Sequence, residues 1–394
     1  MTLRKSKTMS KLETLIQQLC PDGVPYKSLG SLGHFYGGLT GKSKEDFKDG
    51  NAKFITYKNV YGNPALNIDV SDKVKIGPDE KQRTLLYGDI IFTGSSETPD
   101  ECGMSSVVIK RMHEPMYLNS FCFVFRFDDV NIMLPDFSKH LFRSSALRYQ
   151  IGKTASGVTR YNVSKKMMAN VKIHIPPLEI QREIVRILDN FTELTTELTA
   201  ELTARKKQYE YYKNKLLGNL DVEGVPLKMV CNNIFSGKNK MRLIDGKCPV
   251  YGSTGIISTT NIPVYNKEQI LIARVGANAG FVHIANGEYD VSDNTLIVDL
   301  KEGISLKYVY YQLSSMNLHQ YAKGGGQPLI TAGQIKELKI VVPSLEKQLK
   351  IVSILDRFDA LCNDLTSGLP AEIEARQKQY EYYRDKLLTF KPLA

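Results

Sequence analysis

The chain has no tryptophan, and its six cysteines (Cys20, Cys102, Cys122, Cys231, Cys248, Cys362) are scattered, with no CxxC pair and no histidine at zinc-ligand spacing. That argues against a disulfide framework and against a zinc finger, so reduced thiols are expected. No apolar run approaches the ~18 residues of a membrane span, and Met1–Lys11 (MTLRKSKTMSK) lacks an apolar signal core. A cytoplasmic protein is expected. Catalytic signatures are missing too: there is no HExxH, no GxSxG and no dinucleotide fingerprint with its acidic follower. Gly37–Ser43 (GGLTGKS) resembles a phosphate loop, but Tyr36 stands where GxxxxGK[ST] needs its first glycine. Pro176-Pro177 lacks the preceding Asn or Asp and the following aromatic of an amino-methyltransferase motif. The histidines (His34, His113, His140, His174, His283, His319) lie far apart and read as surface or satisfied polar residues, and Gly324-Gly325-Gly326 as a flexible loop. The expectation is a chain without catalysis, metal or cofactor of its own.

At 394 residues the chain exceeds one ordinary core and suits two domains plus extra helix. Apolar content of 42% with 24% charged residues is that of a globular protein. A net charge of +10 suits a polyanionic partner or a merely solvated basic surface, and charge alone does not choose.

The sequence contains one long helical stretch twice. Leu178–Phe191 (LEIQREIVRILDNF) and Leu345–Phe358 (LEKQLKIVSILDRF) agree at nine of fourteen positions, and Ala204–Leu217 and Ala375–Leu388 at eleven of fourteen. A repeat this long implies a duplicated architecture with an internal pseudo-two-fold. In the first copy, positions 184, 188, 191, 195, 198, 202, 205, 209, 212 and 216 step by four and three, and eight of the ten are apolar or aromatic. This is a heptad seam, predicting a rod of about 60 Å. The second copy runs its seam through Leu365, Leu369 and Ile373 and is four residues longer (Pro343 to Leu388 is 45 residues, Pro176 to Leu217 is 41). An inserted tetrad with Gly368 and Pro370 beside it predicts a kink or break. The two apolar stripes match and should pack together. The order globule, rod, globule, rod favours an antiparallel pair, with the chain closing into a loose ring.

The globules begin alike (Gly23–Lys27, GVPYK; Gly224–Lys228, GVPLK) and end alike in β-branched strands (Val171–Ile175; Lys339–Val342). Each holds a middle strand entering a small-residue loop: Gly88–Thr93 into Gly94-Ser95-Ser96, and Glu268–Ala273 into Arg274–Asn278. Further strands are predicted at Phe54–Tyr57, Ser106–Ile109, Phe121–Phe127 and Val291–Val298, with helices near 136–150 and 305–321. The fold class is therefore mixed α/β. Expected boundaries are an N-terminal segment 1–22, a first domain 23–175, a central helix 176–218, a second domain 219–342 and a C-terminal helix 343–390.

Duplicated P-x-L/P-L-E-x-Q…ILD-x-F helices ending R-x-K-Q-Y-E-Y-Y-x-x-K-L-L, each after a variable α/β domain, resemble the specificity subunits of type I restriction–modification systems. The resemblance covers essentially the whole chain. It implies that the globules are target recognition domains, each reading half of a split site in double-stranded DNA. It implies that the helices are spacers and docking surfaces for two modification (methyltransferase) subunits, with restriction (translocase–nuclease) subunits joining later. S-adenosylmethionine, ATP and Mg then belong to those partners.

Two readers on one duplex must keep distance and rotational phase, which a rigid helical pair does better than a loose linker. The first rod carries the tandem tetrads Thr192–Thr195, Thr196–Thr199 and Ala200–Thr203, with leucine on one face. Four helical residues add about 6 Å and a net 40°, against about 3.4 Å and 36° per base pair. The tetrads read as a ruler or as a simple helix-forming repeat. Base-reading candidates are Ser95 and Ser96, then Arg274 and Asn278, then Lys153, Thr159 and Arg160 before the first rod, and Lys323 and Gln327 before the second. Arg and Gln can pair bidentately with guanine and adenine, though each of these is also an ordinary solvated loop residue. Tyr211 and Tyr382 are candidates for partner contact, with burial in the rod pair as the alternative. A protein-binding coiled-coil scaffold, a single-chain methyltransferase or nuclease, and an RNA-binding module are the rival readings.

Overall fold

The structure is a computed structural model that describes residues 10–218, 222–240 and 245–393. Most of the Met1–Lys11 segment, and residues 219–221 at the start of the expected second domain, lie outside the described residues. The chain divides into two compact units, Met1–Glu197 with Ile373–Ala394, and Leu198–Glu372. Each unit therefore holds one globule and parts of both rods.

The first rod is one helix, Leu178–Gly218. Along its middle, residues 191, 195, 198, 202, 205 and 209 are covered while most of their neighbours are exposed, which is the predicted heptad seam. Leu194 is exposed: a four-residue period drifts about 40° per repeat on a helix of 3.6 residues per turn, so the tetrad leucines do not all share the seam. The tetrad threonines turn back on the helix, with the Thr195 and Thr203 hydroxyls donating to the Phe191 and Thr199 carbonyls.

The second rod is two helices, Leu345–Asn363 and Leu369–Leu387. Asp364 makes the break, its carboxylate accepting from the main-chain N–H and hydroxyl of Thr366 and the hydroxyl of Ser367. Gly368 follows where a Cβ would lie 2.5 Å from the Ala360 carbonyl oxygen, and Pro370 falls in the first turn of the new helix, where its missing N–H costs nothing. Leu365, assigned to the seam from sequence, is 76% exposed because the helix that would have turned it inward has stopped.

Within unit 2, Tyr209 and Tyr212 stack on Phe358, and the charges of Lys206 and Arg205 act on the Cys362 thiol. Descending one helix climbs the other, so the pairing is antiparallel. Within unit 1, Phe191 stacks on Tyr383 at 5.3 Å.

Both units are built on one plan. In unit 1 the antiparallel sheet order is Gly33–Gly37, Cys122–Phe127, Ile90–Thr93, Ser105–Val107; in unit 2 it is Cys231–Ser236, Thr295–Leu300, Gln269–Ala273, Val282–Ala285. The middle strands are buried on both faces. Ile90 and Phe92 face the helices while Ile91 faces the second, smaller sheet, and Ile270 and Ile272 alternate with Leu271 in the same way. The shared beginnings and endings of the globules pair: Tyr26–Ser28 with Lys172–His174, and Val225–Pro226 with Lys339–Ile340. Three predicted elements are each divided in two, the helix near 305–321 being Leu306–Ser315 followed by the short turn Leu318–Tyr321. Val291–Val298 is the end of Glu288–Val291, a turn, and the start of Thr295–Leu300, while residues 136–150 form Pro135–Leu141 and Ser145–Gly152.

The repeated Glu-x-Gln and Ile-Leu-Asp motifs join globule to rod. Buried Gln181 accepts from Leu134 N–H and donates to the carbonyls of Ile132 and Pro176; Gln348 accepts from Ser305 N–H and donates to Pro343. Asp189 accepts from His140 at 2.8 Å and pairs with Lys139, and Asp356 accepts from Tyr311 at 2.7 Å and pairs with Lys307. Near the two ends of unit 1, Val24 pairs with Pro392, and Lys11 reaches Glu183 at 2.8 Å.

Candidate nucleic-acid interface

In each unit the middle strand emerges from the core beside a hairpin that precedes the rod. In unit 1, Ser95–Ser96 pairs with Tyr161–Val163, which folds back on Ala155–Ser156. In unit 2, Val275 pairs with Leu329, Lys323 pairs with Leu329, and Ile330 N–H donates to the Arg274 carbonyl as Val163 N–H does to Gly94. Residues 155–163 and 322–330 are thus the same nine-residue hairpin, offset by 167 (322 minus 155), and the offset persists through Gln181/Gln348 and Asp189/Asp356. Both tips turn on a glycine of positive φ, Gly157 at 149° and Gly324 at 112°. A Cβ on Gly157 would meet the Arg160 carbonyl oxygen at 2.0 Å, and one on Gly324 the Gln327 oxygen at 3.0 Å. The close approach fixes where residue 160 or 327 stands.

In unit 1 the hairpin borders a cleft of about 830 Å³ lined by Ser95, Ser96, Thr159 and Arg160 with Tyr57, Tyr61, Phe121, Glu97 and Glu101. Four of the five unit 1 candidates come together there. Ser95, a base-reading candidate from sequence, is 7% exposed. Its hydroxyl accepts from Arg160 Nε at 3.2 Å and Nη2 at 3.1 Å. Ser96 donates to Glu101, which also accepts from Tyr61 and Thr98; these bonds hold the Glu101 carboxyl below its ordinary range. Lys153 lies outside the cleft lining, over the Tyr149 ring at 4.1 Å.

In unit 2 the Arg274–Gly276 segment and the 323–330 hairpin join through main-chain bonds, so Arg274, Lys323 and Gln327 fall in one region. Arg274 is half-buried, Nη1 donating to the Asp293 carbonyl at 3.3 Å while Nε has no partner among the described residues. Asn278 is exposed and lines a separate cleft with Phe281, Tyr310 and His319. Lys323 and Gln327 are exposed.

Sequence reading missed the aromatic wall (Tyr57, Tyr61, Phe121) and two largely buried arginines that bond the nearby loops. Arg148 donates to the carbonyls of Gly103, Asp100 and Cys102, and Arg143 to those of Ser105, Val60 and Tyr61. Burial first, then the neighbouring Arg148, pulls Arg143 down to about 10. Both bond to main-chain carbonyls instead of carboxylates and so tie together the loops around Val60–Tyr61 and Asp100–Ser105. Only the i,i+4 spacing of Tyr57 and Tyr61 on a short helix offered any sequence signal. The Gly37–Ser43 segment is no phosphate cradle: Lys42 is spent on Glu80 and the Lys75 carbonyl, and Ser43 on Asp46. All six cysteines are free and buried, and no helix is long and apolar enough to cross a membrane among the described residues.

The two units thus share one duplicated framework and one hairpin, with different side chains around it. The chain belongs to the type I restriction modification DNA specificity domain family, whose family model matches residues 21–208 and 219–375. It is 39% identical over 206 residues to the specificity subunit of the type I restriction enzyme EcoprrI from Escherichia coli, covering 48% of this chain and 51% of that one. To the EcoR124I/EcoR124II specificity subunit of the same species it is 38% identical over 250 residues, covering 54% and 60%. The chain thus spans between half and two thirds of the length of these curated relatives. The S subunit of a type I system from M. genitalium shares the fold at a TM-score of 0.55 and 16% identity, over 98% of both chains. A chain from a study of type I complex assembly and conformational transition shares it at 0.60 and 17%, over 93% of this chain and 98% of that chain.

Proposed function

We propose that the chain is the DNA specificity subunit of a type I restriction–modification complex, each unit reading one half of a bipartite, asymmetric site. The observation that carries this is the equivalent hairpin presented by both units with different side chains: SGVTR at 156–160 and KGGGQ at 323–327. A shared scaffold with dissimilar reading groups is what an asymmetric split site demands. Lys and Arg contacts to phosphate supply affinity, and loop side chains in the major groove supply sequence. The two modification subunits dock on the near-identical rod ends, with Tyr211 and Tyr382, 60% and 61% exposed, as equivalent contacts. Restriction subunits join that assembly. S-adenosylmethionine, ATP and Mg are held by the partners, and this chain contributes no catalytic group.

Sequencing methylated adenines in host DNA, with the chain co-expressed with its methyltransferase subunits, tests the reading. A two-part motif with a fixed gap is expected, and a continuous motif or none would refute it. The double variant Tyr211→Ala/Tyr382→Ala is expected to lower methyltransferase co-purification while leaving the folded chain intact by circular dichroism.

A further inference from the structure

Arg160 and Gln327 occupy the same place in the duplicated hairpin. They share the offset, the strand pairing of their neighbours, and the glycine that fixes their carbonyl. In unit 1 the guanidinium spends Nε and one Nη2 hydrogen on Ser95 Oγ, leaving its Nη1 hydrogens and the second Nη2 hydrogen for a ligand. That end is a fork of two parallel donors, the shape complementary to O6 and N7 of guanine. Phosphate also accepts such a fork, but two observations turn the position toward a base edge. Glu97 and Glu101 line the same cleft and would repel a phosphate. At the equivalent place in unit 2 stands neutral Gln327, which offers a phosphate no charge and matches N6 and N7 of adenine. Ser95 has no counterpart there, because Val275 takes its position in the pairing.

We propose that positions 160 and 327 are one reading position present twice, with Arg160 selecting a guanine in the half-site of unit 1 and Gln327 an adenine in that of unit 2. Ser95 is the positioning residue that aims the Arg160 fork. The inference rests on the reading of each unit as a half-site reader.

The test compares methylated motifs from hosts expressing the full complex with wild-type chain, Arg160→Gln, Arg160→Lys, Gln327→Arg or Ser95→Ala. Arg160→Gln should turn one guanine into adenine in one half-site and leave the other half unchanged, and Gln327→Arg should do the reverse in the other half. Arg160→Lys keeps the charge without the fork, and Ser95→Ala loosens it. Each should lower the guanine preference at that one position by on the order of 10- to 100-fold, while the salt dependence of non-specific binding stays. A change in base identity is not something a merely structural role would produce. Should Arg160→Gln prevent assembly, as seen by size-exclusion chromatography, exposed Gln327 tests the same position alone. Unchanged motifs, or equal weakening at every site, overturn the proposal. A wild-type motif without two separated halves would sink the half-site reading itself, which separates the two failures.

Discussion

The Asp of each Ile-Leu-Asp motif meets a ring on the globule, but not the same ring. In unit 2 it is Tyr311, whose hydroxyl is pushed up by burial and by Asp356 and stays neutral across the ordinary pH range. In unit 1 it is His140, whose Nε2–H donates to Asp189 while Nδ1 accepts from the Tyr380 hydroxyl at 2.9 Å. Burial holds His140 below its ordinary value, and Lys139 adds to the lowering against the pull of Asp189 and Asp136. The folded unit therefore binds fewer protons than the unfolded one. Stability is complete above about pH 6.5 and is lost as the pH falls toward the depressed value. Melting followed at roughly pH 7.5 and 5.5 should show stability falling as the pH falls, and His140→Gln should reduce that dependence, leaving the share of His174 and His283, which burial also holds below their ordinary value. Equal loss in the variant would assign the effect elsewhere.

The rods carry the second prediction. The tetrads are continuous helix in the structure, so removing Thr196–Thr199 shortens the rod by about 6 Å and turns the downstream helix by about 40°. The motif read by methylation sequencing should keep both halves and lose about one base pair of gap, because the turn of about 40° nearly matches the roughly 36° of one base pair. An unchanged gap would make the tetrads mere helix formers. The heptad seam and the break at Asp364–Gly368 were both legible in the chain, because helical periodicity, glycine and proline act locally. Leu365 was not, because exposure there depends on where the preceding helix stops.

At the scale of the whole molecule, a net charge of +10 suits a polyanionic partner without selecting one, and sequence choice needs groups held in place. The chain alone is expected to bind duplex DNA weakly, with no preference for its motif. With methyltransferase subunits bound, it should prefer the motif-bearing duplex by at least about 10³-fold, the low end for specific complexes. Fluorescence anisotropy on matched and scrambled duplexes across a salt series measures both. Strong preference by the chain alone would remove the need for partners.

Duplication, mixed α/β class, the rods and the loops worth watching all came from order along the chain, since repeats and periodicity are properties of neighbours in sequence. The unit 1 cleft did not. Tyr57, Glu97, Phe121 and Arg160 lie far apart in sequence and meet because a buried sheet brings their loops together. That the Ser95 hydroxyl faces the Arg160 guanidinium instead of water could be shown only by packing.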